Sequence, residues 1–383
     1  MKNILLLGAT GSIGNSVLSV IEQNKDILNL YGIAARNNSA KVKTIIKKFS
    51  PNHVYLEDQD AYKSTSELFP NTSFLNTDKD LEDLINSEDV DIVISAIVGF
   101  AGLKTSFIAA NAGKKILIAN KESIVAAGDI FMKLADSKGA EIIPIDSEHN
   151  AIFQCLPSNK STKDVNNIII TASGGPFIGT PISELTEVKP EDALNHPNWE
   201  MGSKISIDSA TLVNKCLELI EARYLFNLNQ KYFDLVIHPQ SIVHSVVTYV
   251  DGSSIAQLSN PNMEVPIANA LGGNQKLPIS FKDINFSNLD LNFINFPSDR
   301  SSLEELARNI CDTGGSSGLV FNAANEIAVE YFLKNQIKFS QIYDVIFRTF
   351  ELIPLSNPAD IETLNELNIE ARMEAKKVIK SLS

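Results

Sequence analysis

Short apolar runs alternate with amphipathic stretches over the first 145 residues. Buried strands are expected at Asn3–Leu7, Leu30–Ala34, His53–Leu56, Ile92–Ser95, Lys115–Ala119 and Ala140–Ile145. Helical spacing of apolar residues fits between them, for example over Gly14–Gln23, Ala40–Phe49 and Ser123–Lys138. Strand–helix alternation of this kind predicts an α/β domain built on a doubly wound parallel sheet.

The pattern changes after residue 145. Strands are expected at 166–172 and 233–239, a strand–turn–strand at 241–259 with Asp251-Gly252 at the turn, and one long helix at 208–226 with Asp208 or Ser209 as its N-cap. These elements predict a central α/β domain, 146–270, with an open mixed sheet.

A polar stretch rich in Asn, Ser and Pro, 271–300, is expected to act as a connector. Only helical patterns follow it, at Ser302–Cys311, Gly318–Lys334, Phe339–Phe350 and Ile361–Leu382. They predict a C-terminal helical bundle over 301–383. Three domains, 1–145, 146–270 and 301–383, are therefore expected.

Composition narrows the choice of partner and compartment. The net charge of −13 disfavours nucleic acid, and it requires local donors for any anionic ligand. No apolar run reaches the roughly 18–20 residues of a membrane helix, and the N-terminus lacks the features of a signal peptide. Three widely spaced cysteines fit a reducing cytoplasm and argue against a cysteine zinc site.

The segment "GATGSIG" (8–14) follows a predicted strand and opens a predicted helix. Glycines there permit a tight turn and close approach to a pyrophosphate, which binds the free N–H groups at the helix N-terminus. The context favours a Rossmann-like nucleotide site over a merely tight turn.

Two further strand ends indicate which nucleotide is bound. An NAD site usually carries an acid after the second strand, but this chain has Arg36 and Asn37, which suit the 2′-phosphate of NADP. After a later strand, Lys121 supplies a cation, and Asn120 and Glu122 can accept from ribose hydroxyls. The alternatives are an ordinary exposed arginine and a plain helix start.

Asp146 and Glu148 follow the last strand of the first domain. If extended geometry persists, residues two apart point to the same side. Two carboxylates sharing a site repel unless a cation intervenes, and Mg²⁺ or Mn²⁺ takes such oxygen ligands. The segment could equally be a solvated turn.

The predicted helix 208–226 offers a third acid. Asn214, Lys215 and Glu218 project near one face, so Glu218 could join the two acids. The competing interpretation is a simple salt bridge between Lys215 and Glu218.

Two loops carry further donors. "SGGP" (173–176) can form an anion-binding nest to which Ser173 adds a hydroxyl, or it can be a tight turn. "NHPNWEMGSK" (195–204) contains His196 and the only tryptophan, Trp199, which could be a packing anchor or part of a lid. His149, His238 and His244 lack metal-ligand spacing and are expected to be structural.

Several motifs together resemble one family. "GATGSIG", "ANKES", "DSEHNAIFQ", "ASGGPF", "HPNWEMG", "ISIDSATLVNKCLELIEA" and "NAANEIAV" stand in the order and spacing of 1-deoxy-D-xylulose 5-phosphate reductoisomerases. The resemblance spans nearly the whole chain. It implies an NADPH- and metal-dependent homodimer of the non-mevalonate isoprenoid route, which isomerises and reduces 1-deoxy-D-xylulose 5-phosphate to 2-C-methyl-D-erythritol 4-phosphate.

The resemblance also implies roles for individual residues. The metal ligands would be Asp146, Glu148 and Glu218. The substrate contacts would be Lys121, Ser147, Glu148, Ser173, His196, Ser209, Asn214, Lys215 and Glu218, of which Ser173, Ser209, Asn214 and Lys215 surround the phosphate. The NADPH contacts would be Thr10, Gly11, Ser12, Ile13, Ala35, Arg36, Asn37, Asn120, Glu122 and Gly202. The residues of the reaction itself would be the three acids with Lys121, His196 and Trp199, the last in a mobile loop that covers the substrate.

Two departures and two rival functions accompany this resemblance. Ala35-Arg36 stands where the family often has Gly-Lys, which keeps the charge, and Ser203 stands where a basic residue is common. One rival is another NADP-dependent dehydrogenase of the homoserine or semialdehyde type, which predicts no metal dependence. The other is a non-catalytic NADP-binding sensor, which predicts binding without turnover.

Overall fold

The computed structural model describes residues 1–382. Within them, seven strands form the first sheet, and every neighbouring pair is parallel. The strands are β1 (Lys2–Leu7), β2 (Leu28–Ala35), β3 (His53–Leu56), β4 (Ser73–Leu75), β5 (Ile92–Ser95), β6 (Lys115–Ile118) and β7 (Glu141–Pro144). Their order is β4-β3-β2-β1-β5-β6-β7, so the winding reverses between β1 and β5. The predicted doubly wound parallel sheet is confirmed.

Helices connect these strands. They are α1 (Ser12–Gln23), α2 (Ser39–Phe49), α3 (Gln59–Ser66), α4 (Asp78–Asn86), α5 (Leu103–Asn111) and α6 (Lys121–Lys138). The core of the sheet is apolar on both sides, as Ile4, Leu5, Leu6 and Leu7 of β1 are fully buried. Helix α6 is kinked at Ala127, whose backbone angles are not helical.

In the described chain the second sheet has five strands: β8 (Val165–Ala172), β9 (Phe233–Ile237), β10 (Val243–Tyr249), β11 (Ser254–Leu258) and β12 (Ile294–Asn295). Their order is β11-β10-β8-β9-β12; β8 and β9 are parallel and the other pairs antiparallel. The predicted open mixed sheet is confirmed. The predicted connector supplies its edge strand β12.

The helices that accompany this sheet are α7 (Ser147–Cys155), α8 (Pro190–Leu194), α9 (Ser203–Thr211), α10 (Val213–Leu225) and α11 (Glu264–Gly272). The prediction of one helix over 208–226 is therefore wrong, and so is its N-cap. Helix α9 begins after Gly202, and Leu212 breaks the helix with a left-handed backbone, φ +64°.

The break has an energetic reason. A left-handed conformation costs a non-glycine residue about 1–2 kcal/mol. Leu212 is buried in a cluster with Ala172 and Ile237, at the ends of β8 and β9, and burying a leucine contributes about 1.5–3 kcal/mol. Thr211 also satisfies the interrupted backbone, because its hydroxyl accepts from the Val213 N–H at 3.4 Å. Packing thus overrides the helical periodicity.

Four helices end the described chain: α12 (Ser301–Thr313), α13 (Ser317–Leu333), α14 (Gln341–Leu352) and α15 (Ile361–Ser381). The sequence predicted each of them with both ends within two residues. None of the helices in residues 1–382 combines the length and apolarity needed to cross a membrane.

The chain divides into two compact units. The first contains Met1–Asn120, Phe131–Asp146 and Met263–Phe281; the second contains Lys121–Ile130, Ser147–Asn262 and the residues from Lys282 on. This division does not follow the three predicted domains, which stay a prediction.

Candidate active site

The glycine loop of the first unit connects β1 to α1. Gly8 has φ +87°, and a Cβ there would overlap the carbonyl group of Ala96; a Cβ on Gly14 would lie 2.5 Å from the carbonyl oxygen of Ala9. Only glycine fits at both positions. No side chain caps the N-terminus of α1, so the N–H groups of Ser12 and Ile13 can face an anion.

The end of β2 carries the predicted phosphate-binding residues. Ala35 is buried at the end of the strand, while Arg36 and Asn37 are exposed. The Arg36 side chain is 82% exposed and its Nε lies 4.0 Å from Glu57. So loose an exposed ion pair contributes little, which leaves the guanidinium able to turn toward a ligand. Lys41 of α2 donates to the carbonyl oxygen of Thr10 at 2.8 Å and ties α2 to the glycine loop.

Asn120 has a structural contact that the sequence did not indicate. Its side chain is buried, and the amide nitrogen donates to the carbonyl oxygens of Ile97 and, at 2.7 Å, Gly99. These bonds hold the loop after β5. The predicted ribose contact would use the amide oxygen instead, so that role stays a prediction.

The structure places the three predicted metal ligands together. One carboxylate oxygen from each of Asp146, Glu148 and Glu218 lies within 4.8 Å of the others. Two neighbouring oxygens bound to one Mg²⁺ at about 2.1 Å lie roughly 3 Å apart. The carboxylates therefore need to close by no more than about 2 Å. A set of three carboxylates is the donor chemistry that a hard divalent cation prefers.

The local geometry differs from the extended chain expected at Asp146 and Glu148. Helix α7 begins at Ser147, so Glu148 is in its first turn. The acids meet because β7 ends just before the helix starts, and not because strand geometry continues. Ser147 Oγ donates to Glu148 Oε2 at 2.6 Å and orients that carboxylate.

Two lysines contact the same carboxylates. Lys121 Nζ lies 3.0 Å from Glu218 Oε1, and Lys215 Nζ contacts Glu218 Oε2 and lies 3.4 Å from Glu148 Oε1. Asn214 donates to Glu218 Oε1 at 2.6 Å and accepts from Lys121 at 2.9 Å. Three carboxylates and two ammonium groups leave one negative charge, so the cluster attracts a cation despite the lysines.

The sequence left a plain Lys215–Glu218 salt bridge as an alternative, and that bridge is present. It does not compete with the predicted site, because Lys215 also reaches Glu148 on another helix. Glu218 is only 1% exposed. A buried carboxylate held by two lysines and an amide is fixed in position before any ligand binds.

A second group of donors surrounds Ser173. Gly174 and Gly175, with φ +86° and +67°, turn the chain after β8, and a Cβ on Gly175 would lie 2.8 Å from the carbonyl oxygen of Ser209. The close approach brings the hydroxyls of Ser173 and Ser209 to 3.5 Å. The Gly175 N–H donates to Ser173 Oγ at 3.2 Å.

His196 has a defined tautomer. Its Nδ1 accepts from the backbone N–H groups of Asn198 and Trp199, at 3.1 and 3.0 Å. The proton of the neutral ring is therefore on Nε2, which donates to Ser173 Oγ at 2.9 Å. Burial lowers the pKa of His196, in agreement with a neutral ring.

The loop 195–202 is fixed at Asn198, whose amide donates to the Pro239 carbonyl oxygen at 2.6 Å and to the Ser241 hydroxyl at 3.0 Å. Trp199 is half-buried and packs edge-on against His244, with ring centroids 6.0 Å apart. A single aromatic contact suits both a packing anchor and a movable lid.

Sequence reasoning missed one charged side chain. Lys204, in the first turn of α9, contacts Glu122 and Asp208, each at 2.7 Å. Its spacing of four from Asp208 was a signal for this pair. The signal was overlooked because the helix was predicted to start only at residue 208.

Family sequence models match most of the chain. The model described as 1-deoxy-D-xylulose 5-phosphate reductoisomerase matches residues 4–128. Two models described as C-terminal domains of the same enzyme match residues 142–226 and 258–374. The chain belongs to the 1-deoxy-D-xylulose 5-phosphate reductoisomerase family.

Full-length relatives agree with this assignment. The 1-deoxy-D-xylulose 5-phosphate reductoisomerase of Vesicomyosocius okutanii is 43% identical over 382 residues, which is 99% of each chain. The enzyme of the same name from Shewanella frigidimarina is 41% identical over 396 residues, and the alignment covers 100% of both chains. The predicted family resemblance is confirmed.

Solved structures show the same fold. A DOX-P reductoisomerase crystallised with NADPH, fosmidomycin and magnesium superposes with a TM-score of 0.93 at 38% identity, covering 100% of this chain and 99% of the other. The Zymomonas mobilis 1-deoxy-D-xylulose 5-phosphate reductoisomerase in complex with NADPH superposes with a TM-score of 0.92 at 36% identity, covering 99% of each chain. The roles of individual residues remain predictions.

Proposed function

We propose that this chain catalyses the NADPH- and divalent-metal-dependent isomerisation and reduction of 1-deoxy-D-xylulose 5-phosphate to 2-C-methyl-D-erythritol 4-phosphate. The observation that carries the proposal is the convergence of Asp146, Glu148 and Glu218 in a chain of this family. The alternative, a homoserine or semialdehyde dehydrogenase, is not favoured, because the family models match most of the chain and a relative of this family covers 99% of it.

The three carboxylates fit Mg²⁺ or Mn²⁺. Such an ion would supply Lewis-acid stabilisation of negative charge on the carbonyl and hydroxyl oxygens of the substrate. The carboxylates hold the site in place, and Ser147 orients Glu148. Lys121 and Lys215 now neutralise these acids. With a cation bound, the negative charge of the carboxylates would be neutralised by that ion, and both ammonium groups would be able to contact the anionic substrate.

The substrate phosphate fits the donors around Ser173. The Ser173 hydroxyl accepts from His196 Nε2 and the Gly175 N–H. The proton of that hydroxyl is therefore directed elsewhere and can be donated to a phosphate oxygen. Ser209 lies 3.5 Å away and adds a second hydroxyl. Asn214 and Lys215 lie in the first turn of α10, which follows the Leu212 break. His196 therefore contributes by fixing the donor direction of Ser173.

NADPH would supply the hydride for the reduction step. The glycine loop presents Thr10, Gly11, Ser12 and Ile13 to its pyrophosphate, and Arg36 with Asn37 suits the 2′-phosphate. Glu122 and Gly202 are the contacts assigned to the second unit. Closure of the 195–202 loop, with Trp199, would exclude water while the carbon skeleton is rearranged.

The proposal extends to a homodimer in the cytoplasm. The edge strand β11 and the turn before it expose large apolar side chains: Val250 is 69% and Ile255 49% exposed. Exposed apolar residues on a sheet edge favour pairing with a second copy. Light scattering of the purified chain tests this, since a monomer at micromolar concentration would contradict it.

The direct test is turnover. The chain is mixed with 1-deoxy-D-xylulose 5-phosphate, NADPH and Mg²⁺, NADPH absorbance is followed, and the product is identified by NMR. Formation of 2-C-methyl-D-erythritol 4-phosphate is expected. Oxidation of NADPH by aspartate semialdehyde, or reduction of NADP⁺ by homoserine, without added metal, would favour the alternative dehydrogenase. Binding of NADPH without any turnover would favour the sensor.

A further inference from the structure

Lys204 is the centre of a polar network outside the three-carboxylate cluster. Its ammonium group donates to Glu122 Oε1 at 2.7 Å and pairs with Asp208 Oδ2 at 2.7 Å. The side chains are 17%, 8% and 1% exposed for Lys204, Glu122 and Asp208. One cation between two buried carboxylates is a fixed arrangement, because loss of the cation would leave two uncompensated buried charges.

The network continues into the C-terminal helices. Asn325 of α13 donates to the other oxygen of Asp208 at 2.8 Å. Glu326, the next residue, pairs with Arg372 of α15. These contacts indicate a structural role for the "NAANEIAV" motif, none of whose residues is assigned to the proposed reaction. The motif anchors Asp208, and Asp208 in turn anchors Lys204.

Lys204 and Glu122 carry their charges at neutral pH, whereas burial raises the pKa of Asp208. Burial by itself would lower the pKa of Lys204, but Asp208 and Glu122 outweigh it and raise that pKa. Burial would raise the pKa of Glu122, but Lys204 outweighs it and holds that pKa below its usual value. The Lys204–Glu122 contact is therefore an ion pair.

The positions of the two partners in the chain give this ion pair its importance. Lys204 is the second residue of α9 and follows directly on the 195–202 loop. Glu122 is the second residue of α6, next to Lys121, which contacts Glu218 and Asn214. The loop is tied at its other side by Asn198. Residues 199–203 thus span the gap between two fixed points.

We propose that Lys204 is a positioning residue that holds the end of the 195–202 loop against the start of α6, and thereby orients Glu122 and Lys121 toward NADPH and substrate. This inference rests on the proposed function, because its readout needs both ligands. Lys204 itself is not assigned to either ligand. It acts through Glu122, Gly202 and Lys121.

The test compares Lys204→Met with Lys204→Arg and with the control Arg308→Met. Arg308 is also a partly buried cation, paired with Glu304 at 2.7 Å, but it lies in α12. In Lys204→Met we expect the KM for NADPH, and the Kd from nicotinamide fluorescence, to rise about tenfold or more. Lys204→Arg keeps the charge and should recover most of the loss. Arg308→Met should lower thermal stability while both constants stay unchanged.

Trp199, the only tryptophan, reports on the loop directly. Its emission should shift in Lys204→Met and not in the Arg308 control. If KM, Kd and emission all stay as in the wild type while only the melting temperature falls, Lys204 is merely structural and the inference is overturned. If Lys204→Met does not fold, Asp208→Asn decides. That change keeps the Lys204–Glu122 pair but removes its anchor, so an unchanged NADPH Kd contradicts the inference.

The wild type measured in parallel separates this inference from the proposed function. Absence of wild-type turnover with 1-deoxy-D-xylulose 5-phosphate would refute the function. Normal wild-type turnover together with unaltered constants in folded Lys204→Met would refute only the positioning role.

Discussion

Replacing Glu218 by glutamine tests the three-carboxylate cluster at its most buried member. The substitution keeps the shape of the side chain and removes its charge. Glu218 is 1% exposed and accepts from Lys121, Lys215 and Asn214. The glutamine would take the charge of Glu218 away from two buried ammonium groups, while Lys215 keeps Glu148 at 3.4 Å and Lys121 keeps the Asn214 amide oxygen at 2.9 Å.

Two magnitudes follow from this geometry. Removing one partner of a buried ion pair costs about 3–5 kcal/mol of stability, which a domain of about 5–15 kcal/mol can survive. Loss of a direct metal ligand should weaken Mn²⁺ binding by more than the roughly 10–100-fold that is lost when a residue hydrogen-bonded to a ligand is removed. If about 4 kcal/mol of Lewis-acid stabilisation is lost, kcat/KM falls by about three orders of magnitude.

The assay measures NADPH oxidation over a Mn²⁺ titration, together with thermal unfolding and NADPH affinity. In Glu218→Gln the expected result is a large loss of turnover, weaker Mn²⁺ binding and an unchanged NADPH Kd. Glu304→Gln is the control, because it also removes a partly buried carboxylate from an ion pair but leaves the cluster intact. A turnover number within tenfold of the wild type, at equal metal, would remove Glu218 from the metal site.

Three further predictions concern single residues. Arg36→Asp should weaken the binding of NADPH far more than that of NADH, because a carboxylate repels the 2′-phosphate. An equal loss of affinity for both cofactors would exclude Arg36 as a contact of the 2′-phosphate. Trp199→Ala should reduce kcat/KM without unfolding the protein, and an unchanged value would make Trp199 a packing anchor on His244. Burial lowers the pKa of His196, so its neutral form contributes stability above the ordinary value near 6.5, and this contribution is lost as the pH falls through the lower, folded pKa. Protonation would place a proton on Nδ1, facing two N–H donors, so the substrate KM should rise in that range; a rise that begins above pH 6.5 would contradict the assignment.

Most of the fold was predictable because apolar periodicity reflects burial directly. The strands of the parallel sheet and the four C-terminal helices followed from it. Strand β4 did not, because Ser73–Leu75 is too short to form a recognisable apolar run. The break at Leu212 also escaped prediction, since it depends on packing against β8 and β9, which the local sequence does not encode.

In the candidate site too, residue identities were predictable from the sequence, but their geometry and long-range contacts were not. Residue types and spacing indicated Asp146, Glu148 and Glu218, but the assumed extended geometry was wrong, because α7 starts at Ser147. The tautomer of His196 depends on backbone N–H groups that carry no sequence signal. The contact of Lys204 with Glu122, 82 residues earlier, is visible only in three dimensions.

The most direct test of the central claim is the metal dependence of turnover. The chain is freed of metal with EDTA, and NADPH oxidation by 1-deoxy-D-xylulose 5-phosphate is measured as Mn²⁺ or Mg²⁺ is added back. Turnover should be absent without metal and should saturate as one ion binds per chain. Full turnover in the metal-free protein would contradict the claim that the three carboxylates bind the ion on which the reaction depends.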